Sequence, residues 1–261
     1  MDSEKQQELV ELLVSLRRSG RQQSGLDPAL IPPDNETAYR IAGAVEEKLG
    51  WQVAGWKIAA TNQAMQKALR SNSPIYGRVY APNVRTTPIC VDVKSFCSPI
   101  PEVEFQACLG RDLPPRHKPY SSEEVAAAVA SLHPGIELAE CRFIHDEQFP
   151  PLSAILADGA GSGTIIYGPA IIDWREKNIA GQEVNLLCNN EKRRSGSAGK
   201  ALGHPIKPLT WLANELSKTG IGMKAGQFVS TGTLTGMIRP KTGEIYEADY
   251  GPFGTVTLTF E

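Results

Sequence analysis

The stretch Ile100-Pro101-Glu102-Val103-Glu104-Phe105-Gln106-Ala107-Cys108-Leu109 constrains this chain more than any other. Val103, Phe105, Ala107 and Leu109 alternate with Glu102, Glu104, Gln106 and Cys108, the two-residue period of a strand with one face packed. Both carboxylates therefore leave the same side of that strand. Like charges at neighbouring same-face positions repel, so a sheet tolerates them where the face is solvated, where one of them is protonated, or where a cation lies between them. A wet strand face is the plainest of these uses, and a cation is the one that would make the pair functional.

At 261 residues the chain exceeds the usual single-domain size, yet mixed folds rich in β-structure reach this length as one unit. Hydrophobic residues at 41% and charged residues at 21% suffice for a core. A formal net charge of −2 leaves no electrostatic footprint for nucleic acid or an anionic membrane surface. The densest basic run, Lys192-Arg193-Arg194, sits between turn-forming residues and reads as a hairpin tip. No stretch approaches the roughly 18 apolar residues of a membrane span. The polar start Met1-Asp2-Ser3-Glu4 lacks the basic-then-apolar pattern of a signal peptide, so a cytoplasmic protein is expected. Cys90, Cys97, Cys108, Cys141 and Cys188 show no C-x-x-C spacing, which suits free thiols and argues against a zinc ribbon.

Helices come first along the chain and strands later. Leu9, Val10, Leu12, Leu13 and Leu16 form a helical stripe ended by Ser19-Gly20. Asp34 can cap a second helix, with Ala38, Ile41, Ala42, Val45 and Leu49 facing inward and Gly50 as its stop. From Trp51 the pattern becomes short strands separated by Pro and Gly, so a helical N-terminal region over 1–50 and a mixed β-roll catalytic domain over 51–261 are expected. Ser121 and Glu124 form a capping box that opens a helix through Leu132, stopped by His133-Pro134-Gly135. A strand is expected over Gly135 to Ala139, a helix over Leu209 to Lys218 behind Pro208, and late strands over Gln227 to Thr233 and Gly254 to Phe260. Neither G-x-G-x-x-G nor G-x-x-x-x-G-K-[ST] is present, which excludes the usual nucleotide-cofactor loops. A G-x-S-x-G nucleophile elbow is missing too.

Glu137, between Ile136 and Leu138, adds a third carboxylate to the candidate cluster, a solvated face being its alternative use. Three carboxylates with no histidine among them form an all-oxygen set, suited to Mg²⁺ or Mn²⁺ and ill suited to Zn²⁺ or Cu²⁺. Such a cation keeps open positions for a bidentate 2-oxo acid and acts as a Lewis acid toward its enolate. Lys57 shares a strand face with Gly55 and Ala59, which leaves room around its ammonium. It could move protons or hold a substrate carboxylate, or simply snorkel at a surface. Arg142 could anchor a substrate carboxylate or pair with a structural acid. His204, before Pro205, could be a ligand or a packed turn residue.

Five motifs, in order, resemble the 2-oxopent-4-enoate hydratase and 4-oxalocrotonate decarboxylase family: Gly55-Trp56-Lys57-Ile58-Ala59-Ala60-Thr61, Pro101-Glu102-Val103-Glu104-Phe105, Ile136-Glu137-Leu138-Ala139-Glu140-Cys141-Arg142, Ala201-Leu202-Gly203-His204-Pro205 with Trp211-Leu212-Ala213-Asn214, and Ala225-Gly226-Gln227 through Thr231-Gly232-Thr233. The resemblance spans nearly the whole chain. It implies an α+β, fumarylacetoacetate-hydrolase-like mixed β-roll with N-terminal and flanking helices. It further implies Mg²⁺ or Mn²⁺ held by Glu102, Glu104 and Glu137, a catalytic role for Lys57 and Glu104, and a substrate pocket touched by Lys57, Arg142, Thr231 and Thr233. A small-molecule 2-oxo acid and a homo-oligomer are the implied partners. The chain departs from the family pattern at Ile75, where many members carry an acid that works with the lysine, at Gly159 in place of a frequent Asn, and at Cys141 in place of a frequent Ser.

Three functions compete on this reading. A metal-dependent lyase on a vinylogous 2-oxo acid comes first, with hydration of a 2-hydroxy-2,4-dienoate ahead of 4-oxalocrotonate-type decarboxylation. A carbon–carbon hydrolase of the same fold would need a His ahead of the Glu pair, and the first His here is His117. A catalytically silent oligomer is the third, which loss of the acid at Ile75 permits.

Overall fold

The computed structural model describes residues 1–261, the side chains of Ala68 and Lys200 excepted. Two helices lead the chain, α1 (Ser3–Ser19) and α2 (Asn35–Leu49). Asp2 caps the first through Lys5 N and Asp34 the second through Thr37 N, and each ends on a left-handed glycine, Gly20 and Gly50. There follow β1 (Val53–Ala59), α3 (Gln63–Leu69), β2 (Ile75–Tyr80), β3 (Val84–Thr86), β4 (Ile89–Val91) and β5 (Ile100–Leu109). Next come α4 (Ser122–Ala128), β6 (Val129–Ala139), α5 (Leu152–Ala157), β7 (Thr164–Tyr167), β8 (Glu183–Cys188) and β9 (Glu191–Ser197). The chain closes with α6 (Ile206–Lys218), β10 (Phe228–Ser230), β11 (Ile245–Asp249) and β12 (Thr255–Phe260).

The strands form two mixed sheets, one of seven in the order β2-β1-β10-β5-β6-β7-β3 and one of five in the order β4-β12-β11-β8-β9. Val103, Phe105 and Ala107 of β5 share one core with Val256 and Leu258 of the smaller sheet and with Tyr250 of its β11–β12 turn. The opposite face of β5 carries the glutamates. A second core joins α1 and α2 to α5 and to Ile75, Tyr80 and Phe143, and so roofs that face of the larger sheet. The expected strand alternation thus sets the architecture, hydrocarbon toward one layer and carboxylates toward the other. All five cysteines are free, and among the described residues no helix is long and apolar enough to cross a membrane.

Three local expectations change. The capping box at Ser121 and Glu124 forms, but its helix stops at Ala128, and Val129 to Pro134 extend as β6. Residues of β6 pair with β5 from Ile100↔Ala139 to Leu109↔Val129, and this long-range ladder overrides the local helical pattern. Lys192-Arg193-Arg194 lies on the exposed edge strand β9, while the hairpin tip is Asn189-Asn190, both with positive φ. The late strand shrinks to Phe228–Ser230 because Gly232, at φ +106°, turns the chain out of the sheet.

Candidate metal centre and pocket

The β5–β6 register places Glu137 directly opposite Glu102, with Glu104 two residues along the same face. One carboxylate oxygen from each of the three lies within 4.8 Å of the others. All three side chains are buried, Glu104 and Glu137 to 1% exposure. Next to β5 lies β10, and next to that β1, so that Ser230 is in register with both Gln106 and Lys57. This brings Lys57, 3% exposed, to the cluster with Nζ 3.8 Å from Glu137 Oε1.

Glu104 is held from β10 and the turn after it. Ser230 Oγ donates to Glu104 Oε2 at 2.6 Å and Gly232 N donates to the same oxygen at 2.7 Å. Gln106 Nε2 donates to Ser230 Oγ at 3.0 Å. Gly232 has a positive φ, and a β-carbon there would meet Thr61 Oγ1 at 2.4 Å, so the donor that faces Glu104 requires glycine. From the turn between β11 and β12 Tyr250 reaches through the core, its hydroxyl 2.6 Å from Glu104 O and 2.7 Å from Gly135 O while it accepts from Gly135 N at 3.1 Å. That single phenol pins the two carboxylate-bearing strands together.

Burial, reinforced by the charge of Glu137, pushes the Glu102 carboxyl up to about 7. Burial and the charges of Glu137 and Glu102 hold Glu104 well above the usual carboxylate range. Glu137 is raised by burial against the opposing pull of Lys57. Three carboxylates in so little space cannot all stay ionised beside one lysine. Glu137 Oε1 is moreover buried without a hydrogen-bond partner, a cost that native structures rarely leave unmet. An orphaned oxygen, two nearby carboxylates and no nitrogen or sulfur donor fit a hard divalent cation such as Mg²⁺ or Mn²⁺.

Lys57, Glu102 and Glu104 face an apolar pocket walled by Ala59, Met65, Leu69, Ile75, Phe143 and Ile155. Thr233 is in its lining. Thr231 is not, because its Oγ1 is turned to Phe105 O at 2.8 Å. Arg142 is also taken elsewhere. Its Nε donates to both oxygens of Asp158 at 2.9 and 3.0 Å, and its Nη2 to Glu140 O and Ser162 O. The guanidinium is buried on these partners, and Arg142 is not among the residues that line the pocket. His204 Nδ1 accepts from Ile206 N at 3.2 Å, the turn role.

Sequence reading passed over Ser230, Gly232, Tyr250, and two residues at the pocket opening, His145 and Arg239. The threonines flanking Gly232 were one residue out of step with the groups that face Glu104. Only the pairing of β10 with β1 and β5 reveals that parity.

The family model for the fumarylacetoacetate (FAA) hydrolase C-terminal region matches residues 78–261. The chain is 26% identical over 268 aligned residues to 2-keto-4-pentenoate hydratase of Paraburkholderia xenovorans strain LB400, covering 100% of this chain and 97% of that one. It is 27% identical over 245 residues to 2-keto-4-pentenoate hydratase of Burkholderia vietnamiensis strain G4, covering 93% and 92%. Its fold is similar to that of 4-oxalocrotonate decarboxylase from Pseudomonas putida G7, solved with magnesium and adipate, with a TM-score of 0.90 at 23% identity over 100% of this chain and 99% of that one.

Proposed function

This chain belongs to the fumarylacetoacetate hydrolase family, and we propose that it is a divalent-metal-dependent lyase on a vinylogous 2-oxo acid, first of all a hydratase of a 2-hydroxy-2,4-dienoate. The observation that carries this reading is the buried trio Glu102, Glu104 and Glu137, with an orphaned oxygen on Glu137 and with Glu102 and Glu104 lining an apolar pocket. The curated relatives, hydratases along almost their full lengths, support the reaction class.

Glu102, Glu104 and Glu137 would hold Mg²⁺ or Mn²⁺. When bound, such a cation supplies a Lewis acid for the 2-oxo group and carboxylate of the substrate and stabilises enolate charge. Ser230 and Gly232 hold Glu104 Oε2, so that this carboxylate would already be oriented when a cation is bound. Lys57, which lines the pocket with its Nζ 3.8 Å from Glu137 Oε1, would exchange a proton with the substrate carbon that gains or loses hydrogen. The hydrocarbon walls exclude bulk water and strengthen these charge interactions.

A second reading, decarboxylation of a 4-oxalocrotonate-type acid, is favoured by one feature. Ile75 is 3% exposed and lines the pocket, so no carboxylate stands there to activate water. Loss of CO₂ from a vinylogous 2-oxo acid needs the electron sink but no activated water. The protein is taken to work as a homo-oligomer, which light scattering in solution would test.

Purified protein with Mg²⁺ and 2-hydroxypenta-2,4-dienoate should bleach the dienol absorbance and yield the hydrated 4-hydroxy-2-oxo acid. CO₂ release from 4-oxalocrotonate in place of bleaching would establish the second reading. Neither product, from protein that binds Mg²⁺, would leave the silent oligomer.

A further inference from the structure

We infer that the natural substrate is a dicarboxylate, whose far carboxylate is received by Arg239 at the pocket opening. The inference rests on the 2-oxo acid reading above and adds to it the chemistry of the substrate's other end.

Charge is distributed unevenly along this pocket. Its floor holds Glu102, Glu104 and Lys57, all buried. Its middle is hydrocarbon. Glu140, also in the lining, is neutralised on the far side by Arg142 at 3.6 Å and accepts from Cys97 N at 2.8 Å. Three carboxylates against a divalent cation and Lys57 sum to zero, so the inner site has no positive charge to spare for a second substrate carboxylate. Arg239 is the remaining charged residue of the lining.

Arg239 is exposed, and among the described residues it makes neither an ion pair nor a hydrogen bond. Arg17, Arg78, Arg116 and Arg142, by contrast, all pair with acids. A guanidinium with five donors and no partner, facing a cavity, is suited to a carboxylate that comes from elsewhere.

The segment that carries Arg239 is anchored to the metal-binding strand. Leu234 N donates to Val103 O at 2.8 Å, and Gly236 N donates to Thr233 Oγ1 at 3.1 Å. Gly232, at the start of the segment, is the residue whose N–H holds Glu104. The floor and the rim are therefore tied through a few residues, which keeps their spacing defined and lets one side of the pocket gauge the length of a substrate.

The test measures binding of inert analogues in the presence of Mg²⁺ by isothermal titration calorimetry. Two matched pairs are used: 2-oxoadipate against 2-oxohexanoate, and 2-oxopimelate against 2-oxoheptanoate. Within each pair only the distal carboxylate differs. At least one dicarboxylate should bind about tenfold tighter than its partner, the scale of a charge-assisted pair at a partly exposed site. In Arg239→Gln that ratio should fall to about one, and Arg239→Lys should restore part of it. Because Arg239 has no internal partner to lose, these variants should keep the fold.

A wild-type protein that binds 2-oxo acids without preferring either dicarboxylate would overturn the inference, as would a preference that survives in Arg239→Gln. A protein that takes up Mg²⁺ yet binds none of the four acids would instead remove the 2-oxo acid reading itself, and the inference with it.

Discussion

Around Asp158 each buried charge meets its opposite: Arg142 and Arg17 converge on that carboxylate, and Glu140 lies beside Arg142. At Glu102, Glu104 and Glu137 three carboxylates share one lysine, and an oxygen is left with no donor. Both clusters are buried, and burying a charge is costly in either. The matched cluster has its balance within the chain. The unmatched one needs a partner that the chain does not encode, which is the mark of a site rather than of a strut.

Charge-neutralising substitutions should separate the two clusters. Glu104→Gln should lower turnover of the dienoate by about a hundredfold or more, because a ligand to the cation is lost. The same variant, without metal, should keep its stability to within about 1 kcal/mol in urea, since the change removes repulsion. Asp158→Asn should do the reverse and cost about 3–5 kcal/mol, because two buried arginines lose their carboxylate. Loss of stability in Glu104→Gln as large as in Asp158→Asn would erase the distinction.

Removing the ammonium is a smaller perturbation of the unmatched cluster. Lys57→Met should reduce kcat about a hundredfold as proton transfer fails, with Mg²⁺ uptake retained. An unchanged kcat would remove Lys57 from the chemistry.

The smallest effect concerns pH. Burial raises Glu102 from the ordinary 4.5 to about 7, so between these values the folded chain binds more protons than the unfolded one. The corresponding stability is fully present below 4.5 and is lost as pH rises through about 7. Metal-free protein should therefore melt at a lower temperature at about pH 8 than at about pH 5.5, and Mg²⁺ should reverse the trend. A Tm that rises over the same interval without metal would contradict the raised carboxyl.

How much of this was legible beforehand differs between the same two clusters. Glu102 and Glu104 are two residues apart on one strand, so period-two parity places them on one face without knowledge of the fold. Glu137 and Lys57 could be named from the motifs, but the register that sets Glu137 opposite Glu102 exists only once β5 and β6 pair. Arg142 shows the limit from the other side. Its partner Asp158 lies sixteen residues away across a helix, and nothing local distinguishes a structural arginine from one that binds substrate. Residues 129–132 carry a helical pattern locally and become strand for the same reason, since the ladder that decides it is non-local. The family and its α+β architecture were legible because five weak motifs occur in a fixed order.

The central claim is that Glu102, Glu104 and Glu137 together hold one divalent ion. Calorimetric titration of the metal-free protein with Mn²⁺ tests it most directly. Binding of one ion per chain, abolished in Glu137→Gln, is the predicted result. Absence of binding, or binding that persists in Glu137→Gln with unchanged affinity, would contradict it.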